Sequence, residues 1–510
     1  MTQPEQATHD NDQEAVLGFL GDSDPTCTRV DTHASIVFLG KDRALKVKRA
    51  IRLPFLDYST IEKRKKACEE ELIVNRRFAP QLYRRVLPIT RGKSGLEIDG
   101  EGPAVEWAVE MSRFDEQKTF DHLAEAGDIA PELAEALATT LRSAHQKATV
   151  SDGESWLASI SEIIDRNTKV FLSEPQLPRD KVQRLVALSQ QELGDYWQLL
   201  RVRASEGMVR RCHGDAHLGN IVLIDEQPIL FDAIEFDPAI ATTDILYDLA
   251  FPLMDFCHFG LTACANRLFN GYLQTSWPEN GNALRPLPLF LSMRAAIRAN
   301  VLFTKRRLAL DRSHDAEDAR AYFDLALRYF EPVRPSLVAI GGKSGTGKSV
   351  LARELAALLP PLPGAVVLRS DVIRKELFGS PPLVALPEAA YGQEVTARVY
   401  RTLTERSRQI LDQGFSVVVD AAFLKESERN ELSKAAGDIG ADFRPLFLTA
   451  DLAVRLNRIK LRRNDASDAT TEVAAGQEDY QIGKIDWSTV DASGSPAQTL
   501  ERSKAFLSPE

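Results

Sequence analysis

The chain has 510 residues, too many for one ordinary hydrophobic core, so two or three domains are expected. Its 63 Lys and Arg against 73 Asp and Glu leave a formal charge of -10, which argues against a general nucleic-acid coat or an anionic membrane surface as partner. Five cysteines without a C-x-x-C pair suggest neither a disulfide framework nor a structural zinc site, and there is no apolar run of about 18 residues to span a membrane. Residues 1–14 are polar and acidic with no apolar core; they read as a disordered tail rather than a secretion signal, and a cytoplasmic protein is expected.

In chain order, Ser35-Ile36-Val37-Phe38-Leu39 and Ala44-Leu45-Lys46-Val47-Lys48 read as two strands of a hairpin joined by Gly40-Lys41-Asp42. A charged helix follows from Ser59 to Phe78, with Ser59-Thr60-Ile61-Glu62 as a capping-box pattern and Glu69-Glu70-Glu71 near its middle. Taken alone, strand lysines and helix glutamates are solvated surface charges. Ala104 to Met111 alternates as a further strand, and a helix runs from about Pro131 to His145.

Cys212-His213-Gly214-Asp215-Ala216-His217-Leu218-Gly219-Asn220 changes that weighting. Two short apolar runs, Ile221 to Ile224 and Ile229 to Phe231, flank Asp225-Glu226-Gln227-Pro228 as a hairpin, and the second run ends at Asp232 with Glu235 just beyond. Asp215, Asn220 and Asp232 are therefore presented around one hairpin. Phosphoryl transfer needs an acid to take or orient a hydroxyl proton and oxygen ligands for Mg²⁺, and this set has both. His213 and His217 have H-x-x-x-H zinc spacing, but Gly214 and Gly219 argue against the helix it needs and no third ligand is evident.

The loop resembles that of the aminoglycoside phosphotransferase and choline kinase superfamily, H-G-D-x-x-x-x-N followed by an acid after a strand. The resemblance implies a bilobal, protein-kinase-like domain over residues 15–330, with Asp215 as catalytic base and Asn220 and Asp232 as metal ligands. It further implies a strand lysine that positions the nucleotide phosphates and pairs with a helix glutamate. Lys46 and Glu71 are the candidates, with Lys48 and Glu70 as neighbouring alternatives. The superfamily's loop over the phosphates corresponds to Thr32-His33-Ala34-Ser35, which has no glycine, and His145 matches a helix-terminal histidine. Ser155 to Glu206 and Leu287 to Tyr329 are helical, the latter with Arg294, Arg298, Lys305, Arg306 and Arg307, read as a solvated face, with docking of an acidic or phosphorylated acceptor as the other reading.

A domain boundary is expected near residue 331. Beyond it, Gly342-Lys343-Ser344-Gly345-Thr346-Gly347-Lys348-Ser349 fits G-x-x-x-x-G-K-S/T, between an apolar strand (Ser336 to Ile340) and a periodic helix (Val350 to Leu359). Backbone N–H groups converge on phosphates, Lys348 reaches the β/γ-phosphates and Ser349 offers a hydroxyl to Mg²⁺. Ala365 to Asp371 and Ser416 to Asp420 read as two more strands, each ending in an acid, and Asp420 suits a Mg²⁺-holding role. Ser370-Asp371-x-x-Arg374 resembles the small P-loop kinases that include polynucleotide 5′-kinases, gluconate kinase and zeta-type toxins. That resemblance implies a three-layer α/β/α P-loop domain with a parallel sheet over residues 331–485. Asp371 would activate an acceptor hydroxyl, Arg374 would hold a substrate phosphate, and Arg458 and Arg462 would serve as lid arginines. Residues 486–510 read as a loosely ordered tail.

The expected protein is an α/β and α+β pair of ATP- and Mg²⁺-dependent kinase domains, each phosphorylating a hydroxyl of a small molecule. Two other readings remain: a switch in which one nucleotide-binding domain regulates the other, favoured by the glycine-poor Thr32 to Ser35, and phosphorylation of a nucleic-acid 5′-hydroxyl by the C-terminal domain. The latter has Asp371 and Arg374 for it and the acidic net charge against it. Oligomeric state is not legible in the sequence.

Overall fold

The computed structural model describes residues 4–24, 26–32, 34–53, 56–307, 315–463 and 465–506. The chain divides into two compact units. One comprises 1–129, 139–163 and 198–252; the other comprises 130–138, 164–197 and 253–510.

The first unit opens with α1 (Pro4–Asp22), then β1 (Thr28–Asp31), β2 (Ser35–Leu39), β3 (Arg43–Lys48) and the two-residue strands β4 (Arg52–Leu53) and β5 (Leu56–Asp57). Next come α2 (Ile61–Asn75), β6 (Tyr83–Arg91), β7 (Leu96–Ile98), β8 (Ala104–Ser112) and α3 (Phe120–Ala126). The six longer strands form one antiparallel sheet in the order β1-β2-β3-β8-β6-β7. Alternation in β2 and β3 sends Ile36, Phe38, Leu45 and Val47 into a core shared with Val16, Leu17 and Leu20 of α1. The expected tail at 1–14 is thus corrected: α1 covers most of it, and Gln13 is buried, its amide donating to Glu106 Oε2 at 2.7 Å and to the Lys48 carbonyl at 3.0 Å. A polar residue can be buried when its amide is fully used, and sequence polarity alone does not reveal that use.

Helices α4 (Pro131–Lys147), α5 (Glu154–Ser173) and α6 (Arg179–Ser205) follow, then β9 (Val209–Arg211), β10 (Ile221–Ile224), β11 (Gln227–Leu230), the short α7 (Pro238–Ala241) and β12 (Thr242–Asp244). The β10–β11 hairpin turns on Asp225 and Glu226 alone, both at positive φ, a tighter turn than the four residues expected. Strand β9 pairs with β12 and leads into the Asp215 loop.

After α8 (Ile245–His258), α9 (Thr262–Asn280), α10 (Leu287–Arg307) and α11 (Asp315–Arg328), the second unit contains β13 (Ser336–Gly342), α12 (Lys348–Ala356), β14 (Val366–Arg369), α13 (Ser370–Leu377), α14 (Gln393–Asp412) and β15 (Val417–Asp420). It closes with α15 (Glu426–Ile439), β16 (Asp442–Thr449), α16 (Leu452–Leu461), α17 (Thr471–Gly476), β17 (Ser488–Asp491) and α18 (Pro496–Lys504). Five parallel strands run in the order β14-β15-β13-β16-β17, and α12, α14, α15 and α18 pack on them. The apolar runs of β13 and β15 are wholly buried, as a parallel sheet covered on both faces requires.

The expected break near residue 331 lies inside this unit. Asn270 of α9 accepts from Val367 N at 2.7 Å and donates to the Ala365 carbonyl, and Asn266 donates to the Pro363 and Ala365 carbonyls, so side-chain amides complete the edge of β14. Arg294, expected on a solvated face, is only 4% exposed, and Arg298 lies over the Tyr322 ring. The tail expected at 486–510 is also corrected: β17 extends the sheet and places Val490 and Ala492 in its core. Among the described residues no helix is long and apolar enough to cross a membrane.

Candidate functional site

Lys46 and Lys48 are two apart on β3 and so share a face, while Glu71 on α2 is fully buried opposite them. Glu71 binds both: Oε1 lies 2.8 Å from Lys46 Nζ and Oε2 lies 2.6 Å from Lys48 Nζ. Each lysine has a second carboxylate, Asp232 for Lys46 and Glu235 for Lys48, both at 2.5 Å. Of the alternatives left by the sequence, Glu71 is the paired glutamate and Glu70 is exposed, whereas both lysines engage Glu71. Burial alone would depress the lysines, but the facing carboxylates hold Lys46 well above its usual value and raise Lys48 as well. The lysines in turn outweigh burial and hold Glu71 and Asp232 below the usual carboxylate range. Two cations against three carboxylates leave one net negative charge, and Tyr58 adds a hydroxyl donated to Glu235 at 3.3 Å.

The Asp215 loop is set by buried partners. Asp248 on α8 accepts from Gly214 N at 2.8 Å and His213 N at 3.3 Å, and lies 3.1 Å from His145 Nε2 at the end of α4. Gly214 has φ +85°, and a Cβ there would meet Ala241 Cβ at 2.8 Å, so glycine is required. Burial lowers the His213 pKa; its Nδ1 accepts from Asp215 N at 3.3 Å and its Nε2 donates to the Phe231 carbonyl at 3.0 Å, which fits a neutral ring and not a zinc ligand. Asn220 spends its amide nitrogen on Asp215, 2.9 Å from the backbone oxygen and 3.2 Å from Oδ2, so its amide oxygen is the atom that could ligate a metal. Asp232, just after β11, has φ +58°, a conformation non-glycine residues rarely adopt, and its N–H is held by Tyr83 Oη at 3.1 Å. Of the expected phosphate loop, Thr32 and Ser35 close on each other, with Thr32 N and Oγ1 both donating to the Ser35 carbonyl, and Arg49 binds the Thr32 and Ala34 carbonyls; His33 lies outside the described residues.

In the second unit, the central strand β13 delivers the Gly342 to Ser349 loop to the carboxyl end of the sheet, where the strand order reverses. Gly342, Gly345 and Gly347 all have positive φ, and a Cβ at Gly345 would lie 2.7 Å from the Arg455 carbonyl. Lys348 Nζ bonds the Lys343 carbonyl at 3.1 Å, and burial lowers its pKa although Asp420 and Asp371 oppose this. The loop is clamped from outside. Gln477 accepts from Ser344 N at 2.7 Å, Glu478 binds Lys343 at 2.9 Å and pairs with Arg455, and Arg455 also donates to the Ser344 carbonyl.

A cavity of about 840 Å³ opens over the loop, lined by Lys348, Ser349, Asp371, Arg374, Asp420, Arg458 and Arg462 among others. Asp371 sits in the first turn of α13, not at a strand end, because β14 stops at Arg369. Burial first, and then Asp420, raise its pKa. Arg374 is buried over the Tyr391 ring and donates to the Ala390 carbonyl at 2.7 Å. Arg458 donates to Thr346 and Gly494 carbonyls, and Arg462 to the Ala469 carbonyl. Pro496 and Thr499, from the supposed tail, also line the cavity.

Sequence reasoning missed Arg369, Gln477 and Glu478, and gave no site role to Arg455 or Asp465. Arg369 binds Ser349 Oγ, Asp420 and Asp465 together. Ser349 and Asp420 thus already present oxygens to one cation, and in both units the donors are oxygens, so both sets suit Mg²⁺. The only available signals were a charged residue ending a strand and the Asp465-x-Ser467 turn, in which Asp465 accepts from Ser467 N at 2.8 Å.

Comparison with known proteins gives two consecutive matches, the first of which draws on both compact units. Residues 58–287 match the family model described as the phosphotransferase enzyme family, and residues 337–481 match one described as an AAA domain. Uncharacterized proteins of Mycobacterium tuberculosis and Mycobacterium bovis are 27% identical over 484 residues, covering 91% of this chain and 92% of theirs. Among solved structures, a choline/ethanolamine kinase family protein from Mesorhizobium loti covers 60% of this chain and 88% of its own at 14% identity and TM-score 0.38. A gluconokinase from Sinorhizobium meliloti covers 34% of this chain and 91% of its own at 22% identity and TM-score 0.25.

Proposed function

Taking the chain as a domain similar to the phosphotransferase enzyme family followed by a P-loop kinase-like domain, we propose that it is a bifunctional ATP-dependent phosphotransferase. Each domain would transfer the γ-phosphoryl group of Mg-ATP to a hydroxyl of a small molecule. The observation that carries this is that each unit assembles, from distant segments, an acid, a phosphate-directed lysine and oxygen donors for a divalent cation. These are Asp215, Lys46, Asn220 and Asp232 in one, and Asp371, Lys348, Ser349 and Asp420 in the other.

Bound Mg-ATP supplies the phosphoryl group and the metal charge that offsets it. In the first domain Asp215 accepts the acceptor's hydroxyl proton as the new O–P bond forms and the bond to ADP breaks, while Lys46 steadies the phosphates. The second domain gives the proton to Asp371. Lys348 and the backbone amides of the loop hold the β/γ-phosphates, Arg374 holds the acceptor, and Arg458 and Arg462 offset charge on the transferring group.

A switch in which the first site only binds nucleotide has one observation in its favour: the turn at Thr32 and Ser35 spends its polar groups on itself and on Arg49. Calorimetric titration with Mg-ATP and a screen of metabolite, sugar and 5′-hydroxyl oligonucleotide acceptors decide between them. The bifunctional proposal expects two nucleotide sites, one lost in Lys348→Ala, and transfer to a small-molecule hydroxyl that Asp215→Asn abolishes. A single class of site would overturn it, and labelled phosphate on the oligonucleotide alone would make the second domain an end-phosphorylating enzyme.

A further inference from the structure

Arg369 ends β14 two residues before Asp371, and its side chain is 10% exposed. Its Nη2 donates to Ser349 Oγ at 3.1 Å and to both Asp465 oxygens at 3.1 and 3.2 Å, and its Nε lies 3.3 Å from Asp420 Oδ2. Ser349 and Asp420 are the oxygens on which a nucleotide-bound Mg²⁺ would rest. A guanidinium at these distances and an ion that needs contacts of about 2.1 Å cannot use the same lone pairs together. The third partner, Asp465, begins a turn that reaches the acceptor side: Ser467 bonds Asp371, and Asp468 binds Lys375 at 2.9 Å, Leu386 N at 3.1 Å and the Tyr391 hydroxyl at 2.5 Å.

We propose that Arg369 is a positioning residue that holds the metal-binding oxygens before the metal arrives. Mg-ATP displaces it onto Asp465, where it pulls the 465–468 turn against Asp371, so that the acceptor side is ordered after the nucleotide and its metal. This rests on the P-loop site binding Mg-ATP. Displacement is a competition between two cations for one oxygen pair. Removing the guanidinium therefore tightens the metal, and removing Asp465 strands the guanidinium on Ser349 and Asp420 and weakens it.

The test is a Mg²⁺ titration of ATP binding by the full chain, the P-loop component being the heat that disappears in Lys348→Ala. Arg369→Ala is expected to lower the Mg²⁺ concentration for half-saturation about fivefold or more, and Asp465→Asn to raise it by a similar factor. In the double variant the rise should vanish, because it acts through Arg369. Amides of residues 465–470 should gain protection from hydrogen exchange on adding Mg-ATP in the parent protein and not in Arg369→Ala. Asp465→Asn retains the buried arginine, so its titration decides the proposal should Arg369→Ala fail to fold. An unchanged Mg²⁺ requirement in either variant overturns the proposal, as does a rise in Arg369→Ala, which would make the arginine a phosphate ligand. If Lys348→Ala loses no heat, the Mg-ATP reading of the site fails instead.

Discussion

The two candidate nucleotide sites arrange their charges in different ways. In the first unit the proposed phosphate lysine, Lys46, sits on Asp232, the acid that would hold the metal, and shares Glu71 with a second lysine, Lys48. In the second unit the phosphate-directed lysine rests on a backbone carbonyl, and an arginine from another strand covers the metal's acid. The first site is a buried ion cluster in which Lys46 and Lys48 share Glu71 and each holds a second carboxylate. The second rests on backbone geometry held by glycines, with Lys348 on a backbone carbonyl. Lys48 holds Glu71 and Glu235 in the first unit much as Arg455, Gln477 and Glu478 hold the glycine-lysine loop in the second.

The contrast can be broken most severely by removing each site's centre. Asp215→Asn should lower transfer by the first domain about 10²- to 10⁴-fold while leaving the second intact, and Lys348→Ala should do the reverse, both read in acceptor assays on the full chain. Loss of both activities from either variant would mean one shared site.

The two lysines should then separate. Lys48→Met leaves Glu71 and Glu235 short of a buried partner and should cost about 3–5 kcal/mol in denaturant unfolding of the first unit, whereas Lys46→Met should chiefly raise KM for ATP. Because Glu71 and Asp232 are depressed on folding, the cluster's stabilisation is present above their usual values of 4.5 and 3.8 and is lost as pH falls through the depressed ones. At the alkaline end it is present below 10.5 and lost as pH rises through the raised lysine values. Lys48→Met should flatten both limbs.

A smaller effect tests the clamp side. Val490→Ala, in the strand β17 that closes the P-loop sheet, should cost about 1–3 kcal/mol and leave the first domain's activity unchanged. The smallest is a pH shift. Asp371 must be unprotonated to accept a proton, and its pKa is raised, so the second domain's activity should climb with pH through a value above the usual 3.8. A limb at or below 3.8, measured in the Asp215→Asn background, would remove Asp371 from the role of base.

The Gly342 to Ser349 loop and the Asp215 loop were legible because their functional atoms come from contiguous backbone, where spacing and geometry are nearly the same thing. Lys46 and Glu71 were legible only as a resemblance, since a strand lysine and a helix glutamate become a pair only when α2 packs on β3. Arg369 was not legible: Ser349, Asp420 and Asp465 are separated by up to 116 residues, and a strand, a helix and a turn bring them to one guanidinium. The two supposed tails failed for a related reason. Gln13 is buried through its amide bonds to Glu106 and Lys48, and Val490 through one sheet edge, so neither burial shows in the residue type or in the local apolar spacing. By itself the sequence determined two loops and the residue types that each one presents. Tertiary structure decided which cation faces which carboxylate, because electrostatic pairing depends on distance through space, and only the packed sheets and helices set that distance.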